Sequence, residues 1–101
     1  MTVNTNREGE KLTVSLEGKL GTTSAGDLEK AVKDNIEGVK ELVIDLEKTE
    51  YMASAGLRVI LSVAKIMKQQ GSMKVINVPA SVMNVFQFTG MADMLDIEAA
   101  G

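Results

Sequence analysis

The chain of 101 residues contains no cysteine and no histidine, and this bounds its chemistry before any fold is considered. Thiol nucleophiles, disulfides, Cys/His zinc sites, Ser-His-Asp triads and imidazole acids or bases are all excluded. Carboxylates, lysines and lone hydroxyls remain. Two carboxylates facing each other across a cleft can hydrolyse glycosides, but a chain this short has little room for such a cleft. Asp45 interrupts the apolar run Leu42, Val43, Ile44, Leu46, and alternation sends it to an end or edge of a sheet. Glu47, Lys48 and Glu50 read as a solvated loop. Neither G-x-x-x-x-G-K-[ST] nor G-x-G-x-x-G occurs, so no known phosphate-cradling loop is present. The expectation is a protein that is not an enzyme and needs no cofactor or metal.

The informative segment is Tyr51-Met52-Ala53-Ser54-Ala55-Gly56-Leu57-Arg58, where a strand is predicted to hand over to an amphipathic helix. Ser54 is placed at the N-cap, where its hydroxyl accepts a bond from a backbone N–H two or three residues on. Ala53, Ala55 and Gly56 are small and let another surface approach closely. A phosphate on Ser54 meets free N–H groups and the positive end of the helix dipole. It adds about −1.5 to −2 charges at pH 7 without unfolding the helix. Such a site changes its surface and keeps its fold, as a binding switch requires. The plainer reading is a helix cap, since serine is among the commonest N-caps.

Eleven Lys and Arg against fourteen Asp and Glu leave a net charge of −3. The aromatic residues are Tyr51, Phe86 and Phe88 only. Basic faces and stacking aromatics mark nucleic-acid binders, so nucleic acid is not expected as a direct partner. No apolar run approaches the roughly 20 residues of a membrane span, and Met1 to Glu10 lacks a signal-peptide apolar core. Direct membrane insertion is not expected. With 45% hydrophobic and 25% charged residues, the composition is that of an ordinary globular domain. One domain over residues 1–101, monomeric and cytoplasmic, is the expectation.

The elements that position this segment follow from periodicity. Leu12, Val14 and Leu16 alternate with polar residues as in a half-buried strand, and Val3 lies in a short strand before a hairpin at Gly9. Gly18–Thr23 reads as a loop. Ser24 is an N-cap for a helix carrying Leu28, Ala31, Val32 and Ile36, stopped by Gly38. Leu42–Leu46 reads as a central strand buried between helices on both sides, with Thr49–Ser54 the loop after it. From Ala55 a second helix presents Leu57, Ile60, Leu61, Ala64 and Met67 on one stripe and stops at Gly71. Met73–Val78 is a strand. Pro79 suits the first turn of a third helix through Val82, Val85 and Phe86 to about Phe88, with Gly90 its stop. Met91–Ile97 makes a short turn or helix and an edge strand, with Met91 and Met94 as adaptable contacts. Two successive strand-helix-strand units imply right-handed crossovers. The fold class is an α/β sandwich, a four- to five-stranded, mostly parallel sheet flanked by three to four helices.

Glu41-Leu-Val-Ile-Asp-Leu46 followed by Tyr51-Met-Ala-Ser-Ala-Gly-Leu-Arg58 resembles the signature of STAS domains, and more narrowly of the bacterial anti-sigma factor antagonists. Gly18-Lys-Leu-Gly-Thr-Thr-Ser24 resembles the family's loop after its first hairpin. Gln70-Gly71 with Met73-Lys-Val-Ile76 resembles its next strand entry, and Val85-Phe-Gln-Phe-Thr-Gly90 its third helix. The likeness runs through nearly the whole chain in order.

The resemblance implies a non-enzymatic regulator. Unphosphorylated, such an antagonist binds an anti-sigma factor that is also a serine kinase, and so frees a sigma factor. The kinase phosphorylates a serine at the strand-helix junction and the antagonist is released; a metal-dependent serine phosphatase resets the cycle. Ser54 matches the phosphoacceptor. The implied partner face comprises Gly21, Thr22, Thr23, Tyr51, Met52, Ala53, Ala55, Gly56 and Arg58, with Arg58 placed to pair with an acidic group or a phosphate. The chain departs from the family at Ala53, where an acidic residue or second serine is common, and at Gly21, where aspartate is common. These departures favour an alternative, a STAS-like protein-interaction module of a transporter or signalling complex without a working phospho-switch. Thr22, Thr23 and Thr49 are further hydroxyls nearby.

Overall fold

The computed structural model describes residues 2–90 and 95–100. Its elements are β1 (Thr2–Glu8), β2 (Lys11–Leu20), α1 (Thr22–Lys33), β3 (Glu41–Met52), α2 (Ser54–Gln70), β4 (Ser72–Val78), α3 (Ala80–Thr89) and β5 (Asp96–Ala99). The Leu12–Val14–Leu16 alternation builds β2, and Gly9, at φ +61, closes the tight hairpin to β1. β1 and β2 are antiparallel, whereas β2–β3, β3–β4 and β4–β5 are parallel. The sheet order is β1-β2-β3-β4-β5, the order of the chain itself.

Every crossover therefore steps in the same direction, and right-handed crossovers then put the three helices of the described residues on one face. The core confirms this. Leu12, Val14 and Leu16 of β2, Leu42, Ile44 and Leu46 of β3 and Val75 of β4 form one cluster with Leu28, Val32, Ile60, Val63, Val82 and Phe86 of the helices. Val43 is buried but lies outside that cluster, on the opposite face. The expected helices on both sides are thus corrected to one side, and the other face carries Thr13, Ser15, Val43, Asp45 and Lys74. Asp45 lies on this open face of the central strand, at the pair with Ile76 where the β3–β4 ladder ends. Its Oδ1 accepts bonds from the Glu47 N–H (3.0 Å) and from Asn77 Nδ2 (3.2 Å).

Both strands leading to the helices run further than expected. β2 continues to Leu20 and β3 to Met52, so Gly18–Leu20 and Thr49–Met52 are paired strand, not loop; Gly18 faces Thr49, Lys19 faces Tyr51 and Leu20 faces Met52. Register shifts at Ser15/Glu17 and Gly18/Lys19 break the alternation there. Helix α1 starts at Thr22 with Gly21 as its N-cap and ends at Lys33, before Gly38. Ile36 thus lies beyond the helix. Pro79 is the N-cap of α3 and stands outside its first turn, while Gly90 ends that helix at φ +78. Met91 and Met94 lie outside the described residues.

The core stripe of α2 is rotated from the expected one. Gly56, Leu57, Val59, Ile60, Val63 and Met67 are buried, whereas Leu61 and Ala64 are half-buried on the flank. At its far end, Gln70 Nε2 donates to the carbonyls of Ile36 (3.0 Å) and Val39 (2.7 Å). Arg7 Nη1 donates to those of Asn35 (3.0 Å) and Glu37 (2.9 Å). The connection from α1 to β3 is held from both sides, which fixes where β3 begins.

Candidate functional site

The N-termini of α1 and α2 emerge side by side at the edge of the sheet where β2 and β3 end. The Ala53 N–H donates to the Leu20 carbonyl at 2.8 Å and ties the two junctions together. Beneath them, a Cβ on Gly56 would come within 2.5 Å of Leu20 Cδ2 and 3.2 Å of Met52 Cγ. Glycine is what allows the first turn of α2 to lie this close to the strand ends. Gly56 and Met52 are both buried, so these two expected partner-face residues are corrected to packing residues under the site.

Ser54 is not the N-cap. The extended residue that precedes the helix is Ala53 (φ −84°, ψ 166°), and Ser54 is the first helical residue. The Gly56 and Leu57 N–H groups donate to the Ala53 carbonyl at 3.0 and 3.3 Å. The N–H groups of Ser54 and Ala55 have no acceptor among the described residues, as expected for the opening of a helix without a side-chain cap. Ser54 is exposed, and its hydroxyl has no hydrogen-bond partner among the described residues. It is therefore available both to a partner and to chemistry.

The other hydroxyls divide clearly. Thr49 is buried and Thr49 Oγ1 donates to the Leu16 carbonyl at 3.0 Å, so it is a strand-pairing group. Ser24, the third residue of α1, accepts from the Gly21 N–H at 2.8 Å, and its Oγ donates to the Lys19 carbonyl at 3.1 Å. This is the reciprocal half of a capping box, from a residue expected to be the cap itself. Thr22 and Thr23 are exposed on the first turn of α1.

Around Ser54 the surface is open and free of carboxylates in the first turns. Neither α1 nor α2 has an acidic residue in its first turn, so both positive helix ends are uncompensated by charge. An open cleft of about 490 Å³ runs beside the junction, lined by Lys19, Gly21, Thr22, Thr23, Asp27 and Tyr51. Tyr51 is 56% exposed, a large apolar ring at the rim. Arg58 is exposed one turn along α2 from Ser54, while Gly21, Ala53 and Ala55 are half-buried. The structure thus brings Gly21, Thr22, Thr23, Tyr51, Ala53, Ser54, Ala55 and Arg58 to one surface. Lys19 and Asp27 belong to it as well. The pairing of Lys19 with Tyr51 would have shown the first, had β2 been carried through Gly18.

Comparison with known proteins gives a consistent result. The family model described as "Mlab, STAS domain" matches residues 3–96. The Bordetella bronchiseptica protein described as "Putative anti-sigma factor antagonist BtrV" is 32% identical over 88 residues, 85% of this chain and 76% of its own. The anti-sigma-B factor antagonist of Bacillus subtilis is 31% identical over 98 residues, 96% of this chain and 90% of its own. The crystal structure of an anti-sigma factor antagonist from Mycobacterium paratuberculosis has a TM-score of 0.88 at 20% identity. It covers 96% of this chain and 84% of its own, a likeness of fold.

Proposed function

This chain belongs to the STAS domain family, and on that premise we propose that it is an anti-sigma factor antagonist switched by phosphorylation of Ser54. The observation that supports this most directly is that nearly the whole chain matches two such antagonists and that its one serine at the β3–α2 junction is exposed and unengaged. In this reading the protein is a regulatory binding protein and not an enzyme. Unphosphorylated, it holds an anti-sigma factor that is also a serine kinase, and the sigma factor is freed. It works in the cytoplasm, where sigma factors act. No helix among the described residues is long and apolar enough to cross a membrane.

The geometry suits the modification. The kinase's base takes the Ser54 hydroxyl proton, the Oγ–P bond forms, and the bond from the γ-phosphorus to the leaving ADP breaks. The new phosphate sits at the first residue of α2, beside two N–H groups without acceptors and at the positive end of the helix dipole. It is accommodated there without melting the helix. What changes is the surface. A contact face that met the kinase with a neutral serine now presents about two negative charges, and a partner shaped for the first is repelled by the second. A serine phosphatase reverses the step by hydrolysis.

A second reading, a fixed interaction module, is favoured by Ala53, which leaves neither a carboxylate nor a second hydroxyl immediately before Ser54, and by Gly21, which leaves no carboxylate at the N-cap of α1. Paired baits separate the two. Wild-type and Ser54→Asp proteins are used to capture partners from host lysate, with mass spectrometry of the eluates. A kinase-like ATPase held by wild type and lost by the Asp variant is the expected result. A partner held equally by both makes the protein a fixed module.

A further inference from the structure

The outward face of α2 carries a pattern that the switch alone does not use. Ser54, Arg58, Leu61, Lys65 and Lys68 follow one another at spacings of four, three, four and three residues, which keeps them on one outward stripe of the helix, with Leu61 half-buried against the margin of the core. The stripe is about 21 Å long at 1.5 Å per residue. Arg58, Lys65 and Lys68 are exposed, and no ion pair or hydrogen bond engages them among the described residues. The helix contains no Asp or Glu, so it bears three positive charges in a chain whose net charge is −3. Beside the stripe, a notch of about 200 Å³ is lined by Leu61, Ala64, Lys65, Lys68 and Leu95. An apolar floor with a cationic rim is thus built onto an otherwise acidic protein.

From this we infer that the outer stripe of α2 docks an acidic amphipathic helix of a protein partner, with one apolar side chain in the Leu61–Leu95 notch and carboxylates against Arg58, Lys65 and Lys68. Charge complementarity selects the partner, and the 4-3-4-3 spacing matches one face of a second helix. A nucleic acid or an anionic membrane would call for a broader basic surface than three cations on a net acidic chain. The regulatory half of the inference rests on the Ser54 reading above. A phosphate on Ser54 lies one turn from Arg58, draws that guanidinium to itself and lowers the charge of the stripe from +3 to about +1. Docking and phosphorylation then oppose each other along the same helix.

The test uses a synthetic helical peptide of about 21 residues, with a leucine seam flanked by glutamates, followed by fluorescence anisotropy. Saturable binding is expected, weakened about tenfold or more by Lys65→Glu and restored for a Lys65→Glu, Lys68→Glu protein by a peptide with lysines in place of the glutamates. Ser54→Asp is expected to weaken the acidic peptide several-fold. Circular dichroism checks that each variant is folded. The docking surface is overturned if Lys65→Glu leaves binding unchanged, or if a scrambled peptide of equal charge binds as well. It is also overturned if vesicles of anionic phosphatidylglycerol or a DNA duplex bind at α2 while the peptide does not. Because the peptide needs no kinase, loss of the Ser54 switch in the paired-bait experiment would leave this surface standing. A peptide that fails here would leave the switch standing.

Discussion

The β2–α1 and β3–α2 junctions are built on the same plan and finished differently. Each ends a parallel strand, passes through one extended residue (Gly21 or Ala53) and starts a helix whose first turn has no acidic residue. At the first, Ser24 folds its hydroxyl back onto the Gly21 N–H and the Lys19 carbonyl, so the turn satisfies itself. At the second no side chain caps the helix, and the serine stands outside with its hydroxyl unengaged. The second junction is also the tighter one underneath, since Gly56 lies against Leu20. A polar group is available for function where the scaffold holds it without using its hydrogen bonds.

Four substitutions test that contrast, in falling order of effect. Gly56→Val drives a branched side chain into Leu20 and Met52 and is expected to cost about 3 kcal/mol, read as a lower urea midpoint at unchanged slope; a cost under about 1 kcal/mol would show that the packing under Ser54 is loose. Ser24→Ala removes the bond to the Gly21 N–H and is expected to cost about 1 kcal/mol, read in the same urea titration. Ala53→Asp supplies the missing cap and is expected to raise stability by about 1 kcal/mol, and thermal denaturation shows whether the two junctions then become alike. Ser54→Asp places a carboxylate in the first turn and is expected to add about 0.5 kcal/mol with an unchanged far-ultraviolet spectrum. A loss of helix signal would mean that the site changes shape as well as charge.

Much of the architecture was legible because it follows from periodicity: the β2 alternation, the apolar β3 run, and the glycine stops after α2 and α3. The register shifts in β2 were not, because a bulge leaves no mark in composition. They hid the continuation of both strands and so displaced the helix starts. Ser54 and Ser24 are good caps in isolation, yet in both cases the extended position falls on a small residue before them. The buried stripe of α2 departs from the apolar pattern for a related reason. Leu61 and Ala64 are apolar, but the helix must turn Val59 and Val63 toward the sheet once Gly56 fixes its first turn against Leu20. The surface around Ser54 was largely readable, and the burial of Met52 and Gly56 was not, since burial depends on what packs from the neighbouring strand.

The identity of strand order and chain order bears on how the molecule is made. Leu12 pairs with Leu42, Ile44 with Val75 and Val75 with Ile97, separations of 30, 31 and 22 residues. No strand has to wait for one from the far end of the chain or be inserted between two already in place. Starting from the β1–β2 hairpin, each emerging helix and strand adds to the edge left by the one before, so the sheet can grow in the order in which the ribosome delivers it.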